Sequence, residues 1–190
     1  MYLGISPVRI SLAGGGTDMP EYFEKYGGNV VSSTISLFTY LMIKLRKDNS
    51  FQAFSTDFEI HQSKTSYKKL KAKIGTEIAV SVIKYLNFKK GADFVVQSDV
   101  QPGSGLGASS SLTVNFVNTI SQLQKNKFSK KQIAEKSFFI ERNLLFHPIG
   151  KQDDYITSYG GLNFIKFSQN NVSVTPIHLK KSNSSFAFYF

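Results

Sequence analysis

Between residues 5 and 12 apolar and polar positions alternate, with Val8, Ile10 and Leu12 on one face and Arg9 on the other. That period of two predicts a strand. It runs into Gly14, Gly15, Gly16, Thr17 and Asp18, a turn able to bring backbone and a carboxylate against a ligand. Pro20 opens a short helix, PEYFEKY, stopped by Gly27 and Gly28. Strand-like runs follow at 29–35, 38–45, 51–54 and 58–61. Ile74, Ile78, Val82 and Tyr85 or Leu86 then recur at helical spacing and predict a helix over about 66–86. The apolar run ADFVVQS, residues 92–98, reads as a strand again. Leu112, Val114, Phe116, Val117, Ile120 and Leu123 predict a helix that buries one face. Ser129 has the character of an N-cap for a further helix, KKQIAEKSFFIERNLLF, with Ile133, Phe138 or Phe139, and Leu144 or Leu145 buried, ended by Pro148 and Gly150. Late strands are expected at 161–167, 172–179 and 186–190. Strands and helices intermixed with hairpin-length gaps indicate an α+β fold, a mixed or antiparallel sheet packed with helices.

Composition narrows the class. The 190 residues are 41% hydrophobic and 19% charged, which suits a folded domain with a real core. No apolar run approaches the ~20 residues of a bilayer span, the first residues lack the pattern of a signal peptide, and a cytoplasmic protein is the expectation. Cysteine is absent, so disulfides and thiolate metal sites are excluded. The net charge of +10 suits anionic partners. Much of the excess lies in Lys64, Lys68, Lys69, Lys71, Lys73, Lys84, Lys89 and Lys90, on the solvated side of the helix predicted over 66–86. No nucleic-acid-binding signature accompanies it, and the partner expected is a phosphorylated small molecule, with no nucleic acid and no membrane. His61, His147 and His178 show no metal-ligand spacing and no serine–histidine–aspartate arrangement.

The chemistry centres on residues 99–122, DVQPGSGLGASSSLTVNFVNTISQ. Pro102, Gly103, Ser104, Gly105, Leu106, Gly107, Ala108, Ser109 and Ser110 form a glycine-rich loop that feeds a helix N-terminus. Unpaired backbone N–H groups and the positive end of a helix dipole gather there, a combination that binds anions, phosphate above all. Serine hydroxyls can reach a phosphate oxygen or a metal ion. The Walker loop GxxxxGK[ST], the dinucleotide pattern GxGxxG and the hydrolase elbow GxSxG are all absent. A glycine turn that merely caps a helix is the plain alternative.

The loop PGSGLGASS resembles the phosphate loop of the galacto-, homoserine, mevalonate and phosphomevalonate (GHMP) kinases. SPVRISLAGGGTD resembles the family's first motif, in the expected order. ERNLLFHPIGKQDDYITSYGG resembles its heptose-phosphate kinase branch, which also carries GGGTD. The resemblance implies the α+β fold that these kinases share with a domain of a ribosomal protein. It further implies that residues 1–190 are the N-terminal, ATP-binding domain, with the C-terminal domain of the family not encoded. The cofactors implied are ATP and Mg²⁺. The reaction implied is transfer of the ATP γ-phosphate to the anomeric hydroxyl of a heptose 7-phosphate, on the way to a surface polysaccharide.

Residue by residue, the resemblance makes loop 102–110 the cradle of the ATP phosphates, with Ala108 where serine is frequent. It makes Ser109 and Glu141 the metal-contacting residues and Asp153 the carboxylate that orients the acceptor hydroxyl or takes its proton. Arg9 matches a basic residue aimed at the transferring phosphate or at that aspartate. Gly16, Thr17, Asp18, Lys151, Gly160 and Gly161 fall where the acceptor is held. Asp154 stands where glutamine is frequent, and a second carboxylate there could perturb the first. The residues also admit plainer roles: Glu141 as a solvated helix residue beside Arg142, Asp153 as a turn residue, Lys151 as a surface lysine. Other readings of the chain are a fucokinase- or galactokinase-like member and a catalytically silent nucleotide- or sugar-binding module. Homo-oligomerisation or association with a missing C-terminal domain is expected from the apolar segment FAFYF, 186–190.

Overall fold

A computed structural model describes residues 1–55, 60–72 and 75–179. Seven strands form one mixed sheet: β1 (Tyr2–Ala13), β2 (Gly28–Leu45), β3 (Ser50–Ser55), β4 (Ile60–Ser66), β5 (Ala92–Ser98), β6 (Leu162–Ser168) and β7 (Asn171–Pro176). The order is β4-β3-β5-β2-β6-β7, with β1 also paired to β2. β3 and β5 are parallel, and the other pairings are antiparallel. Among the described residues five α-helices accompany it: α1 (Pro20–Tyr26), α2 (Glu77–Tyr85), α3 (Ala108–Leu123), α4 (Lys130–Phe139) and α5 (Gln152–Tyr159). The fold is α+β, a mixed sheet packed with helices, as the pattern indicates.

The organising strand is β2. The two runs expected at 29–35 and 38–45 are a single strand of 18 residues. Their apparent gap has a physical origin: the step from Pro7 to Arg9 on β1 is matched by the longer step from Phe38 to Thr34 on β2, an irregularity of the bulge kind. On its other edge β2 changes partner at the same place, with 28–33 on β6 and 39–45 on β5. The sheet therefore divides into two wings. α3 rests on β1 and β2 so closely that a Cβ on Gly4 would fall within 2.1 Å of the Asn115 side chain.

One core lies under the β3–β5 wing, where Leu41, Ile43, Phe94, Phe116 and Ile120 are all but fully buried. A second joins α1, α5, β6 and β7 through Phe23, Tyr155, Ile165 and Phe167. Burying a side chain of that size is worth about 1.5–3 kcal/mol, so the two clusters fix the wings independently of any ligand.

Four expectations need correction. The helix expected over 66–86 is only Glu77–Tyr85, because Ser66 still pairs with Ser50 on β3, a 3-10 turn occupies Tyr67–Lys69, and Gly75 has φ +79°. Within it Val82 is fully buried as expected, Ala79, Val80 and Ile83 join it, and Ile74 lies outside the described residues. The helix from residue 130 begins on a full capping box between Ser129 and Gln132 but passes at Ile140–Leu144 into a π-helical turn, which leaves Phe139 exposed and Phe138 buried. Residues 152–159, read as loop, form α5. Strand β7 ends at Pro176 rather than 179. Residue 58 and the strand expected at 186–190 lie outside the described residues. Among the described residues no helix is long and apolar enough to cross a membrane.

Candidate active site

The loop after β5 is bent by three glycines with positive φ, Gly103 (+79°), Gly105 (+74°) and Gly107 (+73°). Gly107 is the N-cap of α3, with no side chain capping the helix, so the first N–H groups of α3 face outward unclaimed by a cap. A Cβ on Gly107 would lie 3.1 Å from Asp153 Oδ2 and 3.3 Å from Arg9, so the loop runs hard against both. Gly103 and Gly105 have open space where a Cβ would stand, so their need for glycine is conformational.

Arg9 ties three parts of the sequence together. Its Nε donates to Asp153 Oδ1 at 2.6 Å and its Nη2 to Asp153 Oδ2 at 2.5 Å, a two-pronged ion pair. Its Nη1 donates to the Gly105 carbonyl at 2.5 Å, and its backbone N–H to the Leu106 carbonyl at 3.0 Å. The β1 bulge thus places one guanidinium between the loop and the N-terminus of α5. Burial pushes the Asp153 carboxyl above its ordinary value; Arg9 pulls it back, while Asp18 and Glu141 add to the rise.

On the other side of the loop, Ser109 Oγ donates to Glu141 Oε2 at 2.6 Å. Glu141 is fully buried on the π-helical turn, which excludes the solvated-residue reading. Its Oε1 is buried with no donor among the described residues. His147 Nδ1 stands 3.6 Å from Oε2, an ion-pair contact rather than a hydrogen bond, and Glu141 pushes the imidazole above its ordinary value. Among the described residues no group of three or more histidine and carboxylate side chains could hold a metal. Two hard oxygen donors, Ser109 and Glu141, nevertheless fit a Mg²⁺ ion that takes its other ligands from phosphate and water. The orphaned Oε1 is the observation that fits this best.

Asp154, next in sequence to Asp153, is also fully buried, and neither of its oxygens has a donor among the described residues. Burial first, then Glu141, Asp153 and Glu135, drive its carboxyl well above the ordinary value. The expected perturbation falls on Asp154 itself.

The glycine-rich loop, Arg9, Ser109, His147 and Asp153 line a cavity of about 340 Å³. Its lining combines the loop, Arg9, Asp153 and His147 with the apolar side chains of Phe54, Val96, Val100, Leu112 and Phe116. Glu77, at the start of α2, also lines it, with Oε2 buried and without a donor among the described residues. An anion-seeking loop joined to apolar side chains suits a flat heterocycle carrying phosphates.

The residues expected around the acceptor are partly committed to the protein. Asp18 is buried, Oδ1 accepting from Gly16 N–H at 2.9 Å and Oδ2 from Gln152 N–H at 3.0 Å. Thr17 Oγ1 donates to the Gly14 carbonyl at 2.8 Å and accepts from Asn29 N–H at 3.0 Å. Lys151 Nζ pairs with Glu135 at 3.0 Å and lies over the Phe23 and Phe138 rings. Gly16, Gly160 and Gly161 have positive φ and nothing within 4 Å of a Cβ position, which leaves open space beside them. Sequence reasoning missed His147 and Glu77; the signal available for His147 was its place six residues after Glu141 and before Pro148.

A mixed sheet that sets a glycine-rich anion loop against an arginine-clamped aspartate and a serine–glutamate pair defines a phosphate-handling fold. The chain belongs to the GHMP kinases: residues 67–161 match the family described as GHMP kinases N terminal domain. It is similar to the D-glycero-alpha-D-manno-heptose 7-phosphate kinase of Campylobacter jejuni, 33% identical over 187 residues, 92% of this chain and 53% of that protein. It is also similar to the L-fucokinase/L-fucose-1-P guanylyltransferase of Bacteroides fragilis, 28% identical over 80% of this chain and 19% of that protein. Among solved structures, a D-glycero-D-manno-heptose 1-phosphate kinase from Bacteroides thetaiotaomicron superposes with a TM-score of 0.88 at 28% identity, covering 94% of this chain and 60% of that one. The chain thus spans about half the length of the heptose-phosphate relative.

Proposed function

We propose that the chain is the ATP-binding part of a sugar kinase that transfers the γ-phosphate of ATP to the anomeric hydroxyl of a heptose 7-phosphate. The observation that carries the reading is the Arg9 bridge, which fixes a carboxylate, Asp153, beside a phosphate-type loop. The likeness to heptose-phosphate kinases, and a net charge of +10 suited to a phosphorylated acceptor, support the sugar class. The cell compartment proposed is the cytoplasm.

In this reading the N–H groups of loop 102–110 and the α3 N-terminus hold the nucleotide phosphates. The apolar side chains of the cavity take the base. Ser109 and Glu141 would hold Mg²⁺, which when bound neutralises charge on the phosphates. Asp153 orients the acceptor hydroxyl and receives its proton as transfer proceeds. Arg9 keeps that carboxylate in place while its third donor, on Gly105, fixes the distance between acceptor and loop. The open backbone at Gly16, Gly160 and Gly161 borders the acceptor.

The test is Asp153→Asn in an assembled, active kinase that contains this chain, in a coupled ADP-release assay with heptose 7-phosphate, fucose and galactose as acceptors. Turnover should fall by about 10²–10⁴ while binding of a labelled ATP analogue stays near wild type. Retention of most of the rate would reduce Asp153 to a helix residue. Preference for fucose or galactose would support the neighbouring kinase class, in line with the fucokinase likeness.

A further inference from the structure

The chain after Glu141 folds back over it. The π-helical turn ends at Leu144, Phe146 adopts a left-handed φ of +57°, and the His147 N–H donates to the Glu141 carbonyl at 3.0 Å. A left-handed conformation is uncommon for a bulky residue, and Phe146 gains no burial from it, being 83% exposed. What the reversal does achieve is the placement of the His147 ring. Its Nδ1 comes within 3.6 Å of Oε2 of the buried Glu141, and His147 itself lines the cavity. Pro148 restrains the backbone of the residue before it, which holds the ring there.

Oε2 already accepts from Ser109, whereas Oε1 is buried without a donor. We infer that His147 is a positioning residue: its Nδ1–H closes onto Oε2, fixes the rotation of the Glu141 carboxylate and leaves Oε1 for the divalent cation that accompanies the nucleotide. The inference rests on the nucleotide-kinase reading. It adds a residue that none of the three sequence motifs marks for a role. An outer partner on a metal-binding carboxylate commonly changes metal affinity by about 10–100-fold when removed.

Asparagine and glutamine separate the two ring nitrogens, since the Asn amide reaches where Nδ1 stands and the Gln amide where Nε2 stands. Mn²⁺ binding is measured by electron paramagnetic resonance in saturating ADP for wild type, His147→Asn, His147→Gln and His147→Leu. Metal-free ADP binding and thermal melting are followed on the same samples. The expected result is a loss of ~10-fold or more in Mn²⁺ affinity for the Gln and Leu variants. His147→Asn should stay close to wild type, with ADP binding and melting unchanged throughout. Wild-type Mn²⁺ affinity in all three variants, or equal losses in Asn and Gln, would overturn the positioning role and leave the kinase reading intact. Failure of the wild-type chain to bind ADP with or without Mn²⁺ would overturn both.

Discussion

At the scale of single residues, the site buries several carboxylates, among them Glu141 and Asp154. Asp154 makes this measurable. Its folded-state pKa is raised by burial, then by Glu141, Asp153 and Glu135. With the ordinary value near 3.8, the unfolded chain releases this proton before the folded chain does. The folded state therefore binds more protons through that window, and stability attributable to Asp154 is complete below the unfolded value and lost as pH rises through the folded one. Asp154→Asn removes the loss. The variant should melt higher than wild type, by more at pH 8 than at pH 5, and with little difference near pH 4. An equal shift at all three pH values would mean that Asp154 does not titrate on unfolding. The neighbouring Asp153 is raised as well, but Arg9 offsets part of its burial and holds both its oxygens, whereas Asp154 has no such cation beside it among the described residues.

At the scale of elements, the loop and its helix were legible because glycine and helix periodicity act locally. Gly103, Gly105 and Gly107 all have the positive φ that only glycine adopts freely, and the apolar positions from Val114 to Ile120 are buried. The Ser129 cap was legible for the same reason and is a full capping box. What was not legible depended on partners distant in sequence. Nothing local says that residues up to 66 pair with β3, that 28–45 is one bulged strand, or that 152–159 is helical. The acidic first turn of α5 and Gly160 at its end were available signals, masked by Pro148 and Gly150 before it. The burial of Glu141 was hidden as well, because Arg142 beside it turns outward to Glu21. Two variants separate loop from scaffold. Gly105→Val forces a branched residue into φ +74° and should weaken binding of an ATP analogue by about 1–3 kcal/mol. Ser129→Ala should lower stability by ~1 kcal/mol and leave that affinity alone. Equal nucleotide affinity in Gly105→Val and wild type would remove the loop from the site.

At the scale of the whole molecule, the sheet presents the cavity, the Arg9–Asp153 pair and the open glycines toward one region, while the residues expected to hold the acceptor are largely engaged internally. Asp18 and Thr17 bond to backbone, and Lys151 to Glu135. An acceptor sugar would thus meet one shaped wall, and the chain spans only 53% of its heptose-phosphate kinase relative. We propose, as the resemblance to the family implies, that the acceptor sits in a cleft between this domain and a second one. The 190 residues by themselves are then expected to bind nucleotide but to hold the sugar loosely. A misplacement of about 1 Å can already cost roughly a hundredfold in rate, and an open site does not exclude water. Purified as a 190-residue chain, the protein should release ADP with heptose 7-phosphate far below the ~1–100 per second usual for kinases, although a labelled ATP analogue still binds. Turnover in that range by a monomer, with mass checked by light scattering, would show that this wall alone positions the acceptor and that the internal bonds of Asp18 and Thr17 give way to the sugar.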